Sequence, residues 1–181
     1  MGDDLIRDRI HGAGPGPVPD LTARRLVRAD LADLDLRDAR CDRANLRQAR
    51  MAGVLASRAS FAGARMVRAD LTGARLDLAD LRSVDLSGAC LRGADLSGAD
   101  LTGANLFGAD LREADLTAAV LQRVTLEVAT LRRAVLCGAD LSDARMSTAD
   151  VRDVDADEDT IWPAGIPWPR RNDSVRMSLW R

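Results

Sequence analysis

The sequence predicts an all-β solenoid, a chain wound into stacked coils whose sides are each five residues long. Three observations predict it. An inward-type residue, usually leucine, recurs at every fifth position from Leu26 to Val151 with no insertion or deletion. A small residue, mostly alanine, stands two places before it, as in Ala29, Ala39, Ala94 and Ala149. Aromatic residues make up only 3% of the 181 residues, with no tyrosine, so the core is not built from the bulky rings that dominate ordinary cores.

The register runs Leu26, Leu31, Leu36, Cys41, Leu46, Met51, Ala56, Phe61 and Met66. It then becomes uniform. Leu71, Leu76, Leu81, Leu86, Leu91, Leu96, Leu101, Leu106, Leu111, Leu116, Leu121, Leu126, Leu131, Leu136 and Leu141 are the predicted core. A period of five fits neither a helix nor a strand. Five residues advance an α-helix by about 500°, so the leucines would drift round the cylinder and leave no buried stripe. A coil with one side and one corner per five residues does bury them. The residue before the leucine is often Asp or Asn, as in Asp30, Asp70, Asp95, Asn105 and Asp150. Glycine is frequent two after it, as in Gly53, Gly73, Gly98 and Gly138, where a corner would fall.

This Ala-Asp/Asn-Leu-x-x pattern resembles the pentapeptide-repeat family, from Asp20 to about Asp157. The resemblance implies a right-handed quadrilateral β-helix. With four units per turn, the 27 units from Leu26 to Ala156 make about 6.75 coils. At the sheet spacing the rod is roughly 30 Å long.

Three segments follow. Residues 1–19 hold Gly12, Gly14, Pro15, Gly16, Pro17 and Pro19 and predict a flexible N-terminal arm, unless Leu5, Ile6 and Ile10 form a small lid. Residues 20–157 form the β-helix. Residues 158–181 form a C-terminal cap or tail that holds all three tryptophans. Ile161 and Trp162 are expected to cover the last leucine layer; Trp168 and Trp180 are candidates for a homodimer contact at that end. Inside the rod, Ala56 is undersized and Leu55 beside it is apolar. Either Met51, Phe61 and Met66 fill the gap, or a bulge turns Leu55 inward.

Composition narrows function. The formal net charge is -2, which gives no global drive towards nucleic acid or an anionic membrane. Acids at Asp3 and Asp4 and the lack of an early apolar run argue against a signal peptide. No stretch approaches the roughly 18 apolar residues of a spanning helix. Three cysteines without paired spacing suit a reducing compartment, so a cytoplasmic location is expected. The lone histidine, His11, and the absence of zinc-ligand spacing point to no metal, no cofactor and no enzyme activity.

Residues twenty apart share a face. Arg92, Arg112, Arg132 and Arg152 form one column, with Arg133 beside it. Asp70, Asp110 and Asp150 stand two places earlier in their own units and can offset it. Asp80, Asp100 and Asp140 form an acidic column, and Asp95 and Asp115 stack on another face. Val120, Val128 and Val135 are apolar at outward positions and mark a candidate contact zone. Cys41 is expected inward, Cys90 and Cys137 outward.

Three readings of function stay open. One is a non-enzymatic scaffold or regulatory module with an unidentified protein partner. A second, implied by the resemblance, is a DNA mimic that binds DNA gyrase or topoisomerase IV and gives inhibitor resistance or self-immunity. The low net charge, the leucine-rich interior and the lack of an interrupting loop depart from that branch. The third is a substrate for a tailoring enzyme.

Overall fold

Five-residue sides stack only if each finds a partner directly above it, and the pairing shows the repeat of the winding. In the computed structural model, which describes residues 18–164 and the backbone of Arg176 and Met177, each residue before the inward position pairs in parallel with the residue twenty later. The ladder runs from Asp20↔Arg40 to Val135↔Asp155. Twenty residues at five per side make four sides. One residue per side is paired both upward and downward, too few for ordinary strands. Among the described residues only β1 (Asp155–Ala156) and β2 (Arg176–Met177) are longer, and they pair in parallel.

The side around Leu96 shows how the backbone is satisfied. Asp95 N–H donates down to Ala74 O at 2.9 Å, Leu96 N–H up to Asp115 O at 2.8 Å, and Gly98 N–H up to Thr117 O at 2.8 Å. Ala99 N–H closes the corner on Leu96 O at 3.0 Å. The fifth donor, Ser97 N–H, has no carbonyl in reach and goes to Asp95 Oδ1 at 3.1 Å. The same cap recurs at Thr72, Arg82, Thr102, Arg112, Thr117, Ser142 and Arg152, each bonded to the Asp two places earlier. Asn105 does it for Phe107. The acids before the leucines are therefore turn caps, not merely a solvated decoration of the repeat.

The core is a column of alternating leucine and alanine layers. All fifteen leucines from Leu71 to Leu141 are buried, as are the alanines between them. Each buried leucine contributes about 1.5–3 kcal/mol. Around Ala56, the large side chains of Leu34, Met51, Val54, Phe61 and Met66 are fully enclosed. Leu55 stays in the outer ladder, paired with Asp35 and Arg75. The undersized alanine is thus compensated by its neighbours, without a bulge.

Every regular corner has its second central residue at positive φ, near +60°, as a type II turn requires. Glycine adopts this freely. At Gly98 a side chain is also excluded by space, since a Cβ would lie 2.8 Å from Leu78 Cδ2. Yet seventeen corners carry other residues. Val128 is the one β-branched residue among them, at φ +61°. Thr148, at the equivalent place one coil on, is not in this region; its hydroxyl instead accepts Val128 N–H at 3.0 Å.

At the C-terminal end the register slips by one residue. Asp140 pairs with Ile161, twenty-one residues on, and Asp155 with Arg176. The slip puts Thr160 in the small inward place, buried, and turns Ile161 outward with 51% exposure. Ile161 therefore does not cover the last leucine layer with its side chain. Its backbone does bind that layer, through Leu141 N–H to Ile161 O at 2.7 Å and Ile161 N–H to Ala139 O at 2.9 Å. Trp162 packs half-buried on the core. The extra residue is held by Asp157, whose Oδ1 accepts Gly138 N–H at 2.8 Å, and by the Thr160 hydroxyl, which donates to Leu136 O at 2.9 Å.

Leu96→Asp should place an unpaired charge in a closed layer and unfold the neighbouring coils. Asp95→Ala should remove one cap and cost about 1 kcal/mol. Thermal melts followed by circular dichroism separate the two; equal losses would mean that the inward and outward positions are misassigned.

Candidate interaction surface

With the backbone consumed by stacking, the outer side chains are the chemistry this rod offers. The arginine column is largely neutralised. Arg112 grips Asp110 through Nε to Oδ1 at 2.7 Å, and Arg152 grips Asp150 in the same way at 2.8 Å. Arg132 reaches Asp153 at 4.0 Å and Arg133 reaches Glu113 at 3.3 Å. Arg92 follows Cys90 rather than an Asp and makes no ion pair among the described residues, although its charge is felt by Asp110 one coil on.

The acidic columns stack as their spacing implies, Asp80 on Asp100 and Asp95 on Asp115. Arg82 bridges the first pair, 2.6 Å from Asp80 and 3.8 Å from Asp100. Val120 breaks that column between Asp100 and Asp140, and Val135 lies between Asp115 and Asp155. Both are half-buried, whereas Val128 is 61% exposed at a corner. The three valines form no common patch. Trp168 and Trp180 lie outside the described residues, as does the expected arm or lid before Val18.

Cys41 is buried, and burial pushes its thiol up to about 12. Cys90 and Cys137 are half-buried on different sides. Among the described residues no group of His, Cys, Asp and Glu is arranged to hold a metal ion. No helix among them is long and apolar enough to cross a membrane.

These ladders are accompanied by a direct match to a known family. The pentapeptide-repeat model matches in eight copies, over residues 20–53, 39–77, 59–98, 79–117 and 119–155. The chain belongs to the pentapeptide-repeat family. HetL, a family member involved in heterocyst differentiation regulation from the cyanobacterium Nostoc sp. strain PCC 7120, is 29% identical, with a TM-score of 0.59 over 84% of this chain and 82% of that one. The pentapeptide-repeat protein alr5209 of Nostoc PCC 7120 is 34% identical, with a TM-score of 0.53 over 56% of this chain and 84% of its own. QnrB1, a plasmid-mediated fluoroquinolone resistance protein, is 17% identical, with a TM-score of 0.50 over 77% of this chain and 82% of that one; the likeness is one of fold. A comparison with curated proteins gives no match. The fold is accordingly the right-handed quadrilateral β-helix of this family.

Column-by-column reading of the sequence missed where the unpaired charge lies. Residues 20–79 hold twelve arginines and eight acids, whereas residues 80–164 hold eight arginines and sixteen acids. The signal was present in the sequence, but it needed faces and pairings rather than single columns.

The pairings set an acid limit on the fold. The hydrogen bond from Arg152 holds the Asp150 carboxyl down at about 2, against an ordinary 3.8. Arg82 and Arg112 lower Asp80 and Asp110 in the same way, and the Ser142 hydroxyl lowers Asp140. At Asp157 burial raises the value, but the Gly138 and Thr160 donors outweigh it. A carboxylate lowered by folding stabilises above its ordinary range, and that contribution is lost as pH falls through the lowered value. Melting temperature should therefore respond little between about pH 7 and 5, then fall as pH drops from about 4 towards 2. Melts in a pH series check this; a loss centred near neutrality would show that these pairs are not responsible.

Proposed function

We propose that this chain is a non-catalytic binding module that presents its outer ladders to a protein partner in a regulatory role. The observation that carries this reading is Val128. A β-branched residue at positive φ is strained by about 1–3 kcal/mol, and glycine, which several neighbouring corners use, would relieve it. The side chain buries little in return, since it is 61% exposed. Strain kept at an exposed apolar position is expected where the side chain meets another molecule. The regulatory involvement of HetL, matched along most of both chains, agrees with this reading.

A second reading is favoured by the charge of residues 80–164, where sixteen acids face eight arginines. Such a surface suits a site that otherwise receives DNA, as in a type II topoisomerase. The carboxylates are spread over several sides, and Arg82, Arg112 and Arg152 lie among them.

Val128→Gly tests the first reading without unfolding the rod. The variant should melt at or above the wild-type temperature, yet retain less of any partner recovered with the wild-type chain by cross-linking in its host. Equal retention by both would remove Val128 from the contact. Gyrase supercoiling with and without a quinolone tests the second; protection at micromolar protein supports it, and no effect overturns it.

A further inference from the structure

One side of the first three coils carries arginines that make no ion pair among the described residues. Its units are 24–28, 44–48 and 64–68, stacked through the Arg25↔Asn45 and Asn45↔Arg65 pairings. Arg24, Arg25, Arg28, Arg47, Arg65 and Arg68 lie on it, all exposed, and none makes an ion pair. No carboxylate lies on this side in these coils. The first is Asp85 in the fourth coil, already engaged by Ser87 and by Asn105 Nδ2 at 3.2 Å. Arg43 adds a seventh unpaired charge at the adjoining corner. The neighbouring acids are committed elsewhere: Asp42 accepts from Ser60 and Ala62, and Asp20 caps Thr22.

Part of this set is seated on the scaffold. Arg28 Nε donates to Gln48 Oε1 at 2.9 Å, which leaves the outer guanidinium nitrogens open. The Arg68 stem lies over Gly88 and that of Arg43 over Gly63; a Cβ on either glycine would stand 3.4 and 3.7 Å from the respective Cγ. Coils about 4.8 Å apart set the first and third rows roughly 10 Å from each other.

We propose that this side of the first three coils binds the phosphate backbone of duplex DNA without reading its sequence. The face is single-signed and made of arginine, the composition of phosphate-contacting surfaces. Within these three coils it lacks the aromatic or large apolar anchor around which protein interfaces are built; Val27 and Val67, half-buried, are the outward apolar groups there, and exposed Phe107 stands on the same side two coils further on. No aromatic ring stands among these arginines for unpaired bases to stack on, which disfavours single strands. The overall charge of -2 conceals it, because the excess acid lies in the later coils. The proposal stands apart from the partner reading at Val128, which shares this side and corner but lies three coils beyond Arg68.

Fluorescence anisotropy of the full chain with a labelled duplex of about two helical turns tests it. Affinity should fall steeply between about 50 and 200 mM salt, with a log–log slope steeper than about -3. Arg28 and Arg68 sit at positive φ, +60° and +55°, so glycine suits both backbones. R28G/R68G should melt no lower than wild type, bind roughly tenfold or more weakly, and flatten the slope by about 2. Arg152→Ala, on the neutralised column, should bind as wild type. Three results would overturn the proposal: no salt-dependent binding, undiminished binding by R28G/R68G, or displacement of the duplex by polyglutamate at equal charge, which would assign the face to an acidic protein.

Discussion

A five-residue side leaves one backbone donor that no other backbone group reaches, and how that donor is met shapes the outer wall of the winding. Stacking satisfies the N–H groups of Asp95, Leu96 and Gly98, and the corner bond satisfies Ala99. Ser97 N–H is left at the bend, and the Asp95 carboxylate takes it. An unmet donor beside an apolar core would cost about as much as a hydrogen bond is worth. Repeating that loss at every corner would exhaust a marginally stable fold. The Asp or Asn before the leucine thus has a structural role where it occurs, worth about one hydrogen bond per corner, although it sits on the outer wall.

This role explains why acid and base are so tightly coupled on the surface. One carboxylate oxygen is committed to the turn, and the other is free for a cation two residues on. Arg82, Arg112 and Arg152 occupy that place and complete a compact ring with the Asp they follow. Where the caps are absent, as at Arg25 and Arg65, the local source of negative charge disappears too. The arginine-rich side is therefore a direct result of dispensing with the capping acid in those units.

Much of the fold was legible in the sequence because the core needs one residue type at one spacing. Leu71 to Leu141 could be placed inward from the register alone, whereas at Ala56 the sequence left compensated packing and a bulge both open, and the outer-ladder pairing of Leu55 decides for the first. Ile161 was misplaced because a single added residue inverts inside and outside, and nothing in the residue itself announces the slip. Asp157 and Thr160 carry the signal, but only once their bonds to Gly138 and Leu136 are seen. The surface was less legible. Column spacing correctly brought Arg112 and Arg152 to their acids, yet grouping them by column drew attention to charges that cancel. The arginines that remain unneutralised share a side rather than a column, and pairing distances were needed to separate them from the rest.

The twenty-residue repeat of the ladder gives the molecule an unusual grammar of length change. Removing twenty residues from within the uniform leucine region deletes one storey and leaves each later side chain above its former face. Removing five instead rotates everything downstream by a quarter turn, so that an acid-bearing wall comes to stand above an arginine-bearing one. The hydrophobic interior would hardly register the difference, because every side presents the same leucine and alanine inward. Recombination within such a chain can thus redraw the outer pattern of charge in quarter-turn steps while the inside stays the same.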